Sequence, residues 1–470
     1  MYGRIVALVV LTYFFTQSLA SGVIIALEEN VFFGAFCIAF SIPFLLGMMM
    51  MRRPRVILLE RAVPDQNGQI IHPITSHEGS LKTPMPTRMG RHLIRDDSVL
   101  DVPTSKASWI LFTITVLTVI GLAIMAAIGG SVFLLIYILF AIPAILIGFS
   151  IPVMAWWSHS TWRIGLPTRK RDAEAWLMAG MFSATPAIII NSYIFIEIVL
   201  LFSPGISYSA LEILIISVSA PVGEEICKGI AVYFFAKRIR SPKHGFQIGF
   251  TVGLGFAIVE NLQYIATASI DPASLAFTTL IRGIGSIPGH AFWTSLTGVG
   301  LGWYQLNQRT LNLHERAQSG QQIEAPIEQE KEWKIFDQKT GEEIQTVEKE
   351  ITGAVQVLPS GVQVWTPIQP HQIKQPLLKV PLPKHPILGL ILAMLGHAFW
   401  NGSSIAIGYW SESQGMGLAA QVILQLGWIC LLVAGVLLLG RGLMASIRDA
   451  PDGSNLDHYQ AILHSATIDK

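Results

Sequence analysis

Charge is scarce in this chain. Asp, Glu, Lys and Arg make up 13% of its 470 residues, and 32 basic against 31 acidic side chains leave a formal net charge of +1. With no basic excess and a pI near 7.8, the electrostatic footprint of a nucleic-acid-binding protein is missing, so no nucleic-acid partner is expected. Cysteine is scarcer still. Cys37, Cys227 and Cys430 all fall inside apolar segments, which leaves neither a disulfide framework nor a thiolate zinc site to read. Cys227 is expected to act as a small hydrophobe. The HExxH spacing of soluble zinc peptidases is also absent.

Apolar sequence is abundant: 51% of residues are hydrophobic and the mean hydropathy is +0.51, values foreign to a soluble domain of this length. Crossing a hydrocarbon core of ~30 Å takes ~20 residues, and about ten runs qualify: 5–27, 31–50, 107–128, 131–156, 175–202, 207–236, 246–269, 275–304, 386–410 and 416–440. The expected fold is therefore all-α, a polytopic bundle of about ten transmembrane helices. Arg4, a short apolar run and Ser18-Leu19-Ala20 imitate a cleavable signal peptide, but the run continues past Ala20 and an uncleaved span is expected.

Orientation follows from the basic residues. Arg52, Arg53 and Arg55, then Arg169, Lys170 and Arg171, then Lys237, Arg238, Arg240 and Lys243, and finally Arg441 occupy alternate connections; the intervening connections at 28–30, 129–130, 203–205, 271–273 and 411–413 hold none. This places both termini in the cytoplasm and the bundle in the cell's inner membrane. The chain then divides into an N-terminal pair (1–50), a polar cytoplasmic loop (51–106), further spans (107–202), a charged core (207–304), a second cytoplasmic insert (305–385), a C-terminal pair (386–440) and a polar tail (441–470). The loop at 51–106 mixes Pro, Gly and charge without helical period and reads as extended or weakly ordered. In the second insert, apolar pairs flank Lys339-Thr340-Gly341 and Pro359-Ser360-Gly361, two hairpin signatures.

The core is organised around Ala220-Pro221-Val222-Gly223-Glu224-Glu225-Ile226-Cys227-Lys228-Gly229. One charge at a bilayer centre costs about 2.5–3.5 kcal/mol, so three cost about 7–10 kcal/mol and call for a function. On a helix Lys228 reaches both glutamates but neutralises only one charge, leaving a carboxylate over as reagent. Pro221 is expected to break or bend the span, and should the helix restart there its positive end would face the glutamates.

Other polar residues lie at a common depth. Gly245, Gly249 and Gly253 form a GxxxGxxxG series that lets another helix approach, and Glu260, followed by Asn261 and Tyr264, projects from about the same face. Gly289-His290-Ala291-Phe292-Trp293-Thr294 is repeated as Gly396-His397-Ala398-Phe399-Trp400-Asn401. Glu225, Glu260, His290, His397 and Asn401 all lie about 11–15 residues from the cytoplasmic ends, or ~16–23 Å, one layer near mid-membrane. Arg282, nearer the outer face, is placed to pair with a carboxylate or substrate, or to snorkel outward. A carboxylate in such a chamber can act as general base on water while His and Asn stabilise an oxyanion, or carboxylates and histidines can hold a divalent metal such as zinc. Intramembrane Glu and His also line ion paths, so a proton- or ion-coupled transporter is the alternative; a catalytically silent scaffold is a third reading.

The segment Pro221–Lys228 resembles the EExxK signature of the PrsW family of intramembrane proteases, relatives of the CAAX prenyl-protease and bacteriocin-processing group. Gly253 to Asn261 is similar to that family's second motif, Arg282 with Pro288-Gly289-His290-Ala291 to its third, and His397 with Asn401 to its last. The resemblance implies hydrolysis of peptide bonds in membrane-anchored proteins. Glu225 is the expected water-activating base, or Glu224 with the roles exchanged, and Lys228 would hold the second glutamate. Glu260, Asn261, His290, His397 and Asn401 complete the expected site. Members are classed as metalloproteases whereas the related prenyl-proteases are described as glutamate-dependent, so the metal stays open; its candidate ligands are Glu225, Glu260, His290 and His397.

Overall fold

The computed structural model describes residues 2–28, 30–52, 56–74, 79–95, 104–166, 168–269, 271–318, 335–336, 343–344, 356–357, 363–364 and 379–451. The remainder of the second insert and the tail beyond 451 lie outside the described residues. Helices dominate: α1 (Tyr2–Leu27), α2 (Val31–Met51), α3 (Ser105–Ile164), α4 (Lys170–Ile189), α5 (Phe195–Phe202), α6 (Tyr208–Leu214), α7 (Ala220–Tyr233), α8 (Pro242–Ala268), α9 (Pro272–Ile281), α10 (Ile287–Gln318), α11 (Pro386–Ser413) and α12 (Leu418–Arg448). Among the described residues seven helices are long and apolar enough to cross a membrane, so this is a multi-pass membrane protein, and the expected ten spans are not all reached by that measure. The runs 207–236 and 275–304 fall short because of their polar residues, Glu212, Glu224, Glu225 and Lys228 in the first and Arg282 and His290 in the second.

The 60 residues of α3 would measure ~90 Å as a straight rod. Yet the Trp109 and Trp156 rings are 5.4 Å apart, and Phe112 shares a cluster with Ile151. The segment is thus two antiparallel arms, and Gly129-Gly130 lies between the paired residues.

The 51–106 region is not a loop throughout. β1 (Val56–Ile74) and β2 (Gly79–Arg95) form an antiparallel ribbon from Val56↔Arg95 to Ile74↔Gly79, with irregular register between Pro64 and Ile71. The prolines that argued against strands are tolerated because both strands of a two-stranded ribbon are edges. Inside it His72 Nε2 lies 2.7 Å from Thr87 Oγ1, and Thr83 Oγ1 3.1 Å from the same hydroxyl. In the second insert β3 (Ile335–Phe336) pairs with β4 (Glu343–Ile344) and β5 (Gln356–Val357) with β6 (Gln363–Val364), on either side of the two expected turns.

The centre of the molecule is α8, clamped between α4 and α10. A Cβ on Gly249 would lie 2.7 Å from the Thr294 carbonyl, and Gly245 and Gly253 press likewise on the carbonyls of Gly298 and His290. These contacts run antiparallel and bring Glu260 of α8 beside the start of α10. On the other side Gly255 meets the Leu177 carbonyl. Van der Waals packing of small residues, not hydrophobicity, joins helices in a membrane.

Three wide turns with i→i+5 hydrogen bonding interrupt the helices, at Ile190–Ile194, Ile215–Ser219 and Arg282–Ser286. The second runs directly into α7 with helical dihedrals at Ser219 and Ala220. The expected break at Pro221, with a free helix start facing the glutamates, is therefore absent: the wide turn absorbs the proline.

Candidate active site

Four helices converge on Lys228. Its ammonium lies 2.7 Å from Glu225 Oε1 and 3.4 Å from Glu224 Oε2, because the two glutamates precede it by one helical turn. From α10 His290 brings Nδ1 to 2.8 Å, and from α8 the Phe256 ring covers the ammonium at 3.9 Å. From α11 His397 Nδ1 lies 3.2 Å from Glu225 Oε1, and Thr294 Oγ1 donates to Glu225 Oε2 at 3.2 Å. The chain of contacts continues outward: His290 Nε2 stands 2.5 Å from Glu260 Oε2, and Arg282 Nη1 donates to Glu260 Oε1 at 2.8 Å. Arg282 also lies 3.4 Å over the Tyr264 ring. It pairs with a carboxylate, one of the alternatives left open above.

Access divides the cluster into two layers. The side chains of Glu225 and Lys228 are 0% exposed and those of His290 and His397 2% and 3%, whereas Glu224 is 11%, Glu260 20% and Arg282 17% exposed. Glu225 is sealed and both its oxygens are engaged. Glu224 uses only Oε2, and among the described residues Oε1 has no partner. Three carboxylates against two fixed cations leave a charge of −1 with the histidines neutral. Glu224 is the carboxylate least compensated by its neighbours.

The histidines are oriented for a further cation. With Glu225 at Nδ1 of His397 and Glu260 at Nε2 of His290, each ring has one nitrogen held by a carboxylate, the arrangement that fixes the other nitrogen as a ligand. Glu224, His290 and His397, all buried, offer ligand atoms within 4.8 Å of one another. Two imidazoles and a carboxylate with an open position are the donor set of a catalytic zinc site. The cluster contains Glu224 in place of the expected Glu225 and Glu260, which face the far sides of the two histidines. Lys228, on His290 Nδ1, occupies part of the same space.

The structure gathers Glu224, Glu225, Lys228, Glu260, His290 and His397 but not the two asparagines. Asn261 bonds back to the Ala257 carbonyl at 2.6 Å, and Asn401 Nδ2 donates to the Ile216 carbonyl at 3.2 Å. Sequence reasoning missed Phe256 and Trp293. The Trp293 ring stacks on His397 at 4.7 Å and meets His290 edge-on at 5.5 Å. Their spacing was the available signal, since Phe256 precedes Glu260 by four residues and Trp293 follows His290 by three.

No curated protein and no solved structure matches the chain. Residues 173–320, the stretch from α4 through α10 that holds Glu224, Glu225, Lys228, Glu260 and His290, match the family model described as PrsW family intramembrane metalloprotease, and the resemblance carried by the motifs is thereby shown for that region.

Proposed function

We propose that this protein is an intramembrane endopeptidase that hydrolyses peptide bonds of membrane-anchored proteins, with Glu224 as the residue that activates water. The observation that carries the reading is Glu224, whose side chain is 11% exposed and whose Oε1 has no partner among the described residues, beside a sealed Glu225–Lys228 pair. Glu224 takes a proton from water as the oxygen attacks the scissile carbonyl carbon, and returns it to the amine as the C–N bond breaks. Lys228 supplies positive potential to the developing oxyanion in a site where no solvent reorganises. Glu225 holds Lys228 and His397, and Glu260 with Arg282 holds His290. Held by Glu224, His290 Nδ1 and His397 Nε2, a zinc ion would supply a Lewis acid and lower the pKa of its water; Lys228 would first leave His290. A cytoplasmic placement of the N-terminal end is supported by the basic ends of α1, α2 and α4, which meet at one level, where Arg171 donates to the Arg52 carbonyl at 3.0 Å and Arg4 pairs with Glu174 at 2.9 Å.

The test is cleavage of a labelled single-span protein in vesicles by wild type, Glu224→Gln and Glu225→Gln. Loss of cleavage in Glu224→Gln, with an unchanged melting profile, is expected. Wild-type rates from Glu224→Gln would overturn the assignment.

A further inference from the structure

Two prolines each leave a backbone carbonyl without a donor, two helical turns before a residue of the site. In the wide turn at Ile215–Ser219 the Ala220 N–H bonds the Ile215 carbonyl. The donor due to the Ile216 carbonyl in that register belongs to residue 221, a proline, which has no N–H. In the wide turn at Arg282–Ser286 the Ile287 N–H bonds the Arg282 carbonyl, and the donor due to Gly283 belongs to Pro288. Each carbonyl is taken by a side chain from another helix: Asn401 Nδ2 of α11 donates to Ile216 at 3.2 Å, and Trp156 Nε1 of α3 donates to Gly283 at 3.1 Å.

We propose that Asn401 and Trp156 are positioning residues that select the wide-turn register and so rotate Glu224, Glu225 and His290 into the site. The choice of carbonyl is what selects. Were these segments ordinary α-helix, the same prolines would orphan the carbonyls of Ser217 and Ile284, one residue further on. In the α register the Ile216 and Gly283 carbonyls would already accept from Ala220 and Ile287, so a side-chain donor aimed at them contributes most when the turn is wide and it is their sole partner. A wide turn inserts one extra residue, about 100° of rotation and ~1.5 Å of rise. Without that rotation His290 would face away from Glu260 and Lys228. Gly283 is also the residue that lets α3 approach, since a Cβ there would meet the Phe112 ring and would lie 3.2 Å from Pro152. Neither Asn401 nor Trp156 need touch the reacting atoms.

This inference rests on the proposed peptidase reading, so its test carries a readout that needs no cleavage. Trp156→Phe removes the N–H and keeps an aromatic, though smaller, ring; Pro288→Ala restores a backbone donor for Gly283. In Trp156→Phe, kcat for the labelled substrate should fall about tenfold or more with KM little changed, ~1.4 kcal/mol per tenfold. The ¹⁵N-histidine NMR signal of His290 in micelles should move with it. Combining Trp156→Phe with Pro288→Ala should return both to within about twofold of Pro288→Ala alone, by the additivity test of a double-mutant cycle. Asn401→Leu with Pro221→Ala forms a second, independent cycle should the first variant fold poorly. Additive effects in both cycles, or an unmoved His290 signal in Trp156→Phe, would overturn the proposal. Rescue of the NMR signal in a protein that cleaves nothing would instead overturn the peptidase reading and leave the positioning role standing.

Discussion

The helices α8 and α12 invert the rule of soluble proteins. α8 is the least apolar of the seven candidate spans and 83% of its window is buried; α12 is the most apolar and only 6% is buried. Leu418, Val422, Ile423, Leu431, Leu438 and Leu439 of α12 are exposed, whereas α8 hides three glycines of one face against backbone. The medium around α12 is lipid, which is as apolar as leucine, so hydrophobicity marks what faces outward. Burial is reserved for small residues that let backbones touch and for polar groups that need partners. The clustered charges around Lys228 lie on the buried side of that division.

Breaking the sealed side should cost most. Lys228→Met leaves Glu225 buried without its cation and should lower stability by about 3–5 kcal/mol, read as the midpoint of denaturant unfolding in detergent; adding Glu225→Gln should recover a large part. An unchanged midpoint in Lys228→Met would mean that charge does not hold the cluster. Gly253→Leu should follow, since its new side chain meets the His290 carbonyl and overpacking costs about 1–3 kcal/mol. Leu431→Ala, on the lipid face of α12, should stay within about 0.5 kcal/mol. Equal losses from the two would dissolve the contrast between α8 and α12.

Metal sharpens the comparison at the site. A divalent ion held by Glu224, His290 and His397 would compete with Lys228 for His290 Nδ1, so Lys228→Gln should bind Co²⁺ about tenfold more tightly than wild type, ~1.4 kcal/mol, followed by the cobalt absorption band. Treatment with a chelator should leave the wild-type fold intact, because the sealed pair does not depend on the ion. A cobalt affinity indifferent to Lys228 would separate the two cations in space.

The smallest effect belongs to the water-exposed loop before α9. Asp271 caps that helix by accepting from the Ser274 N–H at 2.7 Å, and this hydrogen bonding holds its carboxyl below the usual aspartate range. A depressed folded pKa contributes stability above the unfolded value of ~3.9 and loses it as pH falls through the folded one. Wild type should therefore lose a slight increment of stability below about pH 4 that Asp271→Ala lacks; parallel melting curves across that range would remove the cap from consideration.

Much of the site was legible in sequence because helical spacing alone makes neighbours. Glu224, Glu225 and Lys228 had to share a turn, Gly245, Gly249 and Gly253 had to mark a close approach, and the two Gly-His-Ala-Phe-Trp repeats had to present histidines in like settings. The strand pairs on either side of 340 and 360 were legible for the same local reason. The ribbon at 56–95 was not, since both of its strands are edges and so tolerate prolines that looked prohibitive. Which glutamate keeps an unpartnered oxygen was equally out of reach, because it depends on the partners that Thr294, His397 and Lys228 bring to Glu225 from three helices. The destination of Asn401 was hidden too. Local sequence determined which residues occupy the same turn and the same depth. Only the tertiary structure decided the register of the turns before Pro221 and Pro288, because a carbonyl freed by a proline is claimed by whichever donor another helix brings to it.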